Sequence, residues 1–337
     1  GRELAEYMDE PWCRRVMEMY KNRFYPDDLG ERRIERRTKR PKFSGPGGQE
    51  GTDVVHPFKK AMDQLGFRYA IAFSTAMLSL GIHPQEELEA AVAFGYARWI
   101  TERVLAKEPA IKSMLYLPFN DPDASLRLIE EFAEKDGVVG FMITSLRHRP
   151  IHHRDYMKIY ATLEERGIPL AFHSIAHWRE PQFKLLNNFL SAHALGFPFY
   201  NMMHMVNIVM NGLPERFPKL KWIFMEAGIA WLPFIMHRMD TMYMMRPSEA
   251  PLLKRLPSEY VTEFYFSTQP MEFLDNPDHM AAIFDMIKAK TQLLYSSDYP
   301  HWDFDLPSTI YDLPFLDEEA KRNILGGNAL RLFGIEE

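Results

Sequence analysis

From about residue 65 the chain repeats one pattern: a short apolar run, a polar or Gly/Pro break, then a stretch with helical spacing. The apolar runs are Tyr69–Phe73, Ser113–Leu117, Val138–Ile143, Pro169–Phe172, Lys221–Met225, Phe264–Ser267 and Leu293–Ser296. Each is apolar throughout instead of alternating, as expected of parallel strands covered on both faces. Between them, Leu126–Ala133, Tyr156–Leu163 and Ile283–Ile287 place apolar residues along one helical face.

Seven β-then-α units follow without reversal or tandem hairpins, which predicts right-handed crossovers. The expected class is α/β: a (β/α)8 TIM barrel, complete or without its first strand in this chain, or else an open sheet. No Gly-rich dinucleotide fingerprint follows the first apolar run, which weakens a nucleotide-binding reading. Residues 1–60 differ in character. Glu31–Lys42 reads ERRIERRTKRPK and Ser44–Gly51 reads SGPGGQEG, a solvated helix end and a loop long enough to serve as a lid. The expected division is therefore an extension over 1–60 and a barrel over 61–337.

Composition narrows the function classes. A net charge of −6 argues against a general nucleic-acid binder. The single cysteine, Cys13, excludes an intramolecular disulfide framework or a CxxC metal site. No apolar run reaches the ~18 residues that span a bilayer, and no leader pattern opens the chain. The expected setting is cytoplasmic.

The chemistry gathers where strands end, which in a parallel barrel is the catalytic rim. His173 follows Pro169–Phe172, with His177 shortly after; Glu226 follows Lys221–Met225; Asp298 follows Leu293–Ser296 and leads to His301 and Asp303. An isolated histidine or aspartate there has an ordinary packing or turn-starting role. Glu226 is different, because a carboxylate directly after an apolar strand should be buried and paired. Imidazole plus two acids at one rim predicts a metal site of His173, Asp298 and Glu226. Such a set suits one divalent transition metal, zinc first and manganese or iron as alternatives. Glu226, Asp298, His177 and His301 are the candidates for proton transfer and substrate contact. The RHRPIHHR stretch (147–154) is a candidate anion holder, and Ser267, Thr268 and Gln269 are candidate hydrogen-bond donors to substrate. His193 and His204, inside helical segments, read as structural.

The stretches RFPKLKWIFMEAGIAWLPFIMHRMD (216–240), LLYSSDYPHWDFD (293–305) and NILGGNALRLFGI (323–335) resemble the amidohydrolase-2 group of the amidohydrolase superfamily, which includes the aminocarboxymuconate-semialdehyde decarboxylase-like enzymes. The resemblance covers the chain from about residue 60. It implies a metal-dependent barrel enzyme acting on a small carboxylated molecule, aromatic or unsaturated, usually as a homodimer or larger assembly. It also implies that His173 and Asp298 are metal ligands. Two departures follow. The group's decarboxylases often carry a histidine where this chain has Glu226, which tilts the expectation toward a hydrolase using metal-activated water. Non-oxidative decarboxylation is the alternative, and a catalytically silent binding barrel is the second alternative. The group's HxH pair after a first strand has no counterpart in these 337 residues, so that strand and its ligands are expected upstream of Gly1, unless the protein lacks them.

Overall fold

A computed structural model of the chain describes residues 2–21, 54–144, 149–173, 183–301 and 303–336. The Gly/Pro loop 44–51, Arg147, His148 and His177 lie outside the described residues. Seven parallel strands form one sheet in chain order: β1 (Ala70–Ala72), β2 (Ile111–Tyr116), β3 (Val138–Ile143), β4 (Leu170–His173), β5 (Trp222–Met225), β6 (Tyr265–Ser267) and β7 (Leu293–Leu294). Each overlaps one of the seven apolar runs, and β3 coincides with its run. Helices sit between successive strands, giving an α/β, TIM-barrel-like fold. The sheet curls back toward itself: Phe67, before β1, meets Tyr295, after β7, edge to face at 5.9 Å. The Tyr69 hydroxyl donates to the Glu336 carbonyl at 3.1 Å.

Two-residue alternation explains how the strands serve two layers at once. Phe172, Phe224 and Phe266 are register partners on β4, β5 and β6. Their rings stack in sequence, at 5.3 and 6.0 Å between centroids. Phe172 also meets His204 on the helix Phe189–Met210 at 5.4 Å, so this ladder faces the helical layer. The residues that follow, His173 and Ser267, therefore turn to the other side, the interior of the curl. Burying each phenylalanine stabilises the fold by about 1.5–3 kcal/mol.

Helix starts obey local chemistry. Asp121 accepts from Ala124 N (2.9 Å) to open Pro122–Phe132, and Asn276 accepts from Asp278 N (2.9 Å) to open Pro277–Met286. Such caps satisfy amide groups the helix itself cannot. At the N-terminus, Ala5, Met8 and Val16 bury themselves with Leu88 of the helix Glu86–Ile100. The helix His56–Leu65 spans the boundary expected at residue 60. Among the described residues no helix is long and apolar enough to cross a membrane.

Candidate metal centre

The strand ends β4, β5 and β7 deliver the side chains that the sequence pattern singled out. His173 closes β4, is 6% exposed, and its Nε2 lies 2.8 Å from Glu226 Oε2. Glu226 is equally buried, as a carboxylate after an apolar strand must be if it is paired. Asp298 lies beyond β7, and both its oxygens are 2.7 Å from His301 Nδ1. The other nitrogen, His301 Nε2, reaches Thr75 Oγ1 after β1 at 3.4 Å. Ligand atoms of Glu226, Asp298 and His301 all lie within 4.8 Å of one another. The structure thus places His301 beside the two acids as a further candidate ligand and keeps His173 in contact with Glu226.

Both acids are held in an unusual backbone conformation. Glu226 has φ +51° and Asp298 φ +54°, the left-handed region that costs a non-glycine residue roughly 1–2 kcal/mol. The surrounding loops hold these turns. Glu226 N–H donates to Ser267 Oγ (2.9 Å), and Asn201 Nδ2 donates to the Met225 carbonyl (2.8 Å). Glu272, from the loop after β6, accepts from Ile229 N (3.0 Å) and Ala230 N (3.1 Å). Its carboxylate packs so closely on Gly228, at φ +66°, that no β-carbon fits there. On the Asp298 side, the Asp298 carbonyl accepts from His301 N (2.9 Å), and Asp305 N donates to the Ser297 carbonyl (2.9 Å).

Burial, then the nearby charge of Glu226, push the Asp298 carboxyl well above the usual carboxylate range; His301 opposes them and Asp303 adds to them. Two carboxylates this close in a buried site call for compensating positive charge. A tetrahedral divalent ion with ligands at ~2.0–2.2 Å holds its donors about 3.3–3.6 Å apart, so the trio can take one once its side chains close around it. Two acid oxygens and an imidazole suit zinc, manganese or iron.

Other sequence candidates fall elsewhere. In the 147–154 stretch, Arg149 pairs with Asp155 (3.4 Å), as does His153 (3.5 Å), so this basic run is answered by an internal acid. Burial pushes His152 down. It lowers His204 to about 4, keeping that ring neutral against Phe172. Ser267 and Thr268 bond to protein, to Glu226 N and to the Ser296 backbone. Thr75 and Glu272 carried no sequence signal, since each gains its role only from a loop on a different strand. A cavity of about 660 Å³ opens at the opposite, N-terminal ends of β1–β3, lined by Arg68, Lys112 and Phe333 among others. It holds none of these groups.

An α/β barrel-like scaffold with a buried acid–imidazole cluster at its C-terminal rim is the architecture of a metal-centred enzyme family. The amidohydrolase family model Amidohydro_2 matches residues 56–335, and the chain belongs to that family. Over 204 residues it is 28% identical to the 6-methylsalicylic acid decarboxylase of Penicillium expansum, covering 59% of this chain. The overlap spans about 60% of that relative's length. Among solved structures, the chain is similar to a 2,6-dihydroxybenzoate decarboxylase complexed with 2,6-dihydroxybenzoate (TM-score 0.70, 21% identity, 84% of this chain and 89% of that one). It is also similar to a dihydroxybenzoic acid decarboxylase from Polaromonas sp. JS666 with bound manganese and the inhibitor 2-nitroresorcinol (TM-score 0.70, 21% identity, 85% and 87%). At these identities the structural likeness speaks to the fold.

Proposed function

We propose that this chain is a metal-dependent, non-oxidative decarboxylase of a small hydroxylated aromatic carboxylic acid. The hydrolytic reading drawn from Glu226 gives way here, because the relatives reported above act on aromatic carboxylates by decarboxylation. The observation that carries the proposal is the Asp298–His301 pair, in 2.7 Å contact beside the buried Glu226.

Decarboxylation breaks the ring-carbon–carboxylate bond, releases CO2 and requires one proton at the same ring carbon. The Asp298–His301 pair, 2.7 Å apart beside Glu226, is suited to deliver that proton. Thr75 orients the far ring nitrogen of His301. His173 fixes Glu226 through their 2.8 Å contact. Glu226, one Asp298 oxygen and an imidazole, that of His173 or His301, would hold the ion. When bound, the ion supplies positive charge that orients the substrate's oxygens and offsets negative charge developing on them. The burial of His173 and Glu226 excludes water, which strengthens each of these interactions.

The test is to load the protein with Zn²⁺ or Mn²⁺, supply 2-hydroxybenzoate and dihydroxybenzoates, and measure CO2 in D2O. The expected result is one CO2 per substrate lost, with deuterium at the vacated ring position. Asp298→Asn should lower kcat by about 10²–10⁴-fold. Cleavage of an amide or lactone with no CO2 from any aromatic acid overturns the reading.

A further inference from the structure

A second group of polar atoms beside the metal centre has no use in the chemistry described above. Among the described residues, Asp303 Oδ1 and Oε1 of Gln269, a residue only 1% exposed, are buried without a hydrogen-bond partner, and Asp303 Oδ2 has no partner beyond the His193 ring nitrogen. A buried acceptor left unpaired is costly, so such atoms in one neighbourhood mark a place that can receive donors. They do share a neighbourhood. Gln269, just past β6, directs its Nε2 toward the Asp303 backbone carbonyl at 3.4 Å. His193 Nε2 stands 3.4 Å from Asp303 Oδ2. The His193 ring is flanked on its own helix by Phe189 (5.3 Å) and Phe197 (5.0 Å), which supply an apolar wall.

This group of atoms adjoins the metal centre. Asp303 is two residues beyond His301 in the same loop, and its charge is among those felt by Asp298. We propose that Asp303, Gln269 and His193 form a specificity subsite that accepts a hydrogen-bond-donating substituent of the aromatic substrate, a ring hydroxyl other than the one next to the carboxylate. The proposal rests on the decarboxylase reading and deepens it. Acceptor oxygens welcome a hydroxyl proton and repel a carboxylate. The substrate's acid group is thereby directed to the Glu226–Asp298–His301 end, and its remote hydroxyl toward Asp303. Phe189 and Phe197 would meet the ring edge between them.

Equilibrium binding separates this from the chemistry. Phenol, benzene-1,3-diol and benzene-1,4-diol are titrated calorimetrically into metal-loaded wild-type protein and into D303L and Q269L. A hydrogen bond to a buried carboxylate predicts that one diol binds the wild type about 10–100-fold more tightly than phenol. D303L should bring that ratio near one with phenol binding unchanged, and Q269L should reduce it in part. Equal binding of all three by the wild type overturns the subsite. So does a D303L, or a Q269L where D303L does not fold, that weakens phenol and diol alike. Diol preference without CO2 release from any dihydroxybenzoate upholds the subsite and sinks the decarboxylase reading. CO2 release at equal kcat/KM with and without the extra hydroxyl, alongside equal phenol and diol binding, does the reverse.

Discussion

Single side chains carry the sharpest consequences. Gly228 sits at φ +66° with the Glu272 carboxylate against its α-carbon. Gly228→Ala must both adopt the left-handed region and push Glu272 off the amides of Ile229 and Ala230. Strain alone costs roughly 1–2 kcal/mol, and the turn presenting Glu226 should open. The expected outcome is lower stability in chemical denaturation, together with weakened metal binding. Glu89 is another such residue. It is fully buried, accepts from Tyr116 Oη (2.6 Å) and Asn120 Nδ2 (2.9 Å), and lies outside the metal centre. Burial pushes its carboxyl up from 4.5 to about 7, against the pull of those two donors. A carboxyl raised on folding stabilises the protein fully below pH 4.5, and that contribution fades as pH climbs through 7. The swing is of the order of 3 kcal/mol. Melting curves at pH 5 and pH 8 should show Glu89→Gln gaining on the wild type as pH rises; a gap that stays constant would mean Glu89 ionises freely in the fold.

At the level of elements, the phenylalanine ladder across β4, β5 and β6 links the sheet to its helices. Phe224 stacks between Phe172 and Phe266 and also meets Phe264 at 5.7 Å. Phe224→Ala should cost about 3–5 kcal/mol, and the loss should appear as a cooperative drop in melting temperature. Phe224 belongs to the ladder on the helical layer, two residues before Glu226, so the site should suffer through the backbone at the end of β5. This alternation is why continuous apolar runs could be read as strands while their inward and outward faces could not. Run lengths located all seven strands, and three helical stretches overlapped observed helices. The loops were less legible. Ser267 read as a substrate donor, and its oxygen also accepts from Glu226 N, a pairing set by strand register between β5 and β6 that no local pattern announces.

For the molecule as a whole, the metal is expected to act as a keystone between loops from different strands. Glu226, Asp298 and His301 repel or compete when nothing positive lies among them, so a bound ion should stabilise the folded state by mass action. At a hundredfold excess over Kd the gain is about 2.7 kcal/mol, seen as a rise of several degrees in melting temperature that a chelator reverses. Glu226→Ala and His301→Ala should each abolish the rise. An unchanged response in His301→Ala would return the third ligand position to His173.

What the sequence by itself determined is the parallel β/α order and the identity of the rim residues His173, Glu226, Asp298 and His301, because strand and helix periodicity and strand-end position are local properties. Only the tertiary structure decided which of them converge. It put His301 with the two acids, His173 in contact with Glu226, and Glu272 and Thr75 into support. It also set both acids in left-handed turns and left Asp303 and Gln269 with unspent acceptors. Distances between loops from different strands depend on how the sheet curls, and no stretch of chain encodes that curl alone.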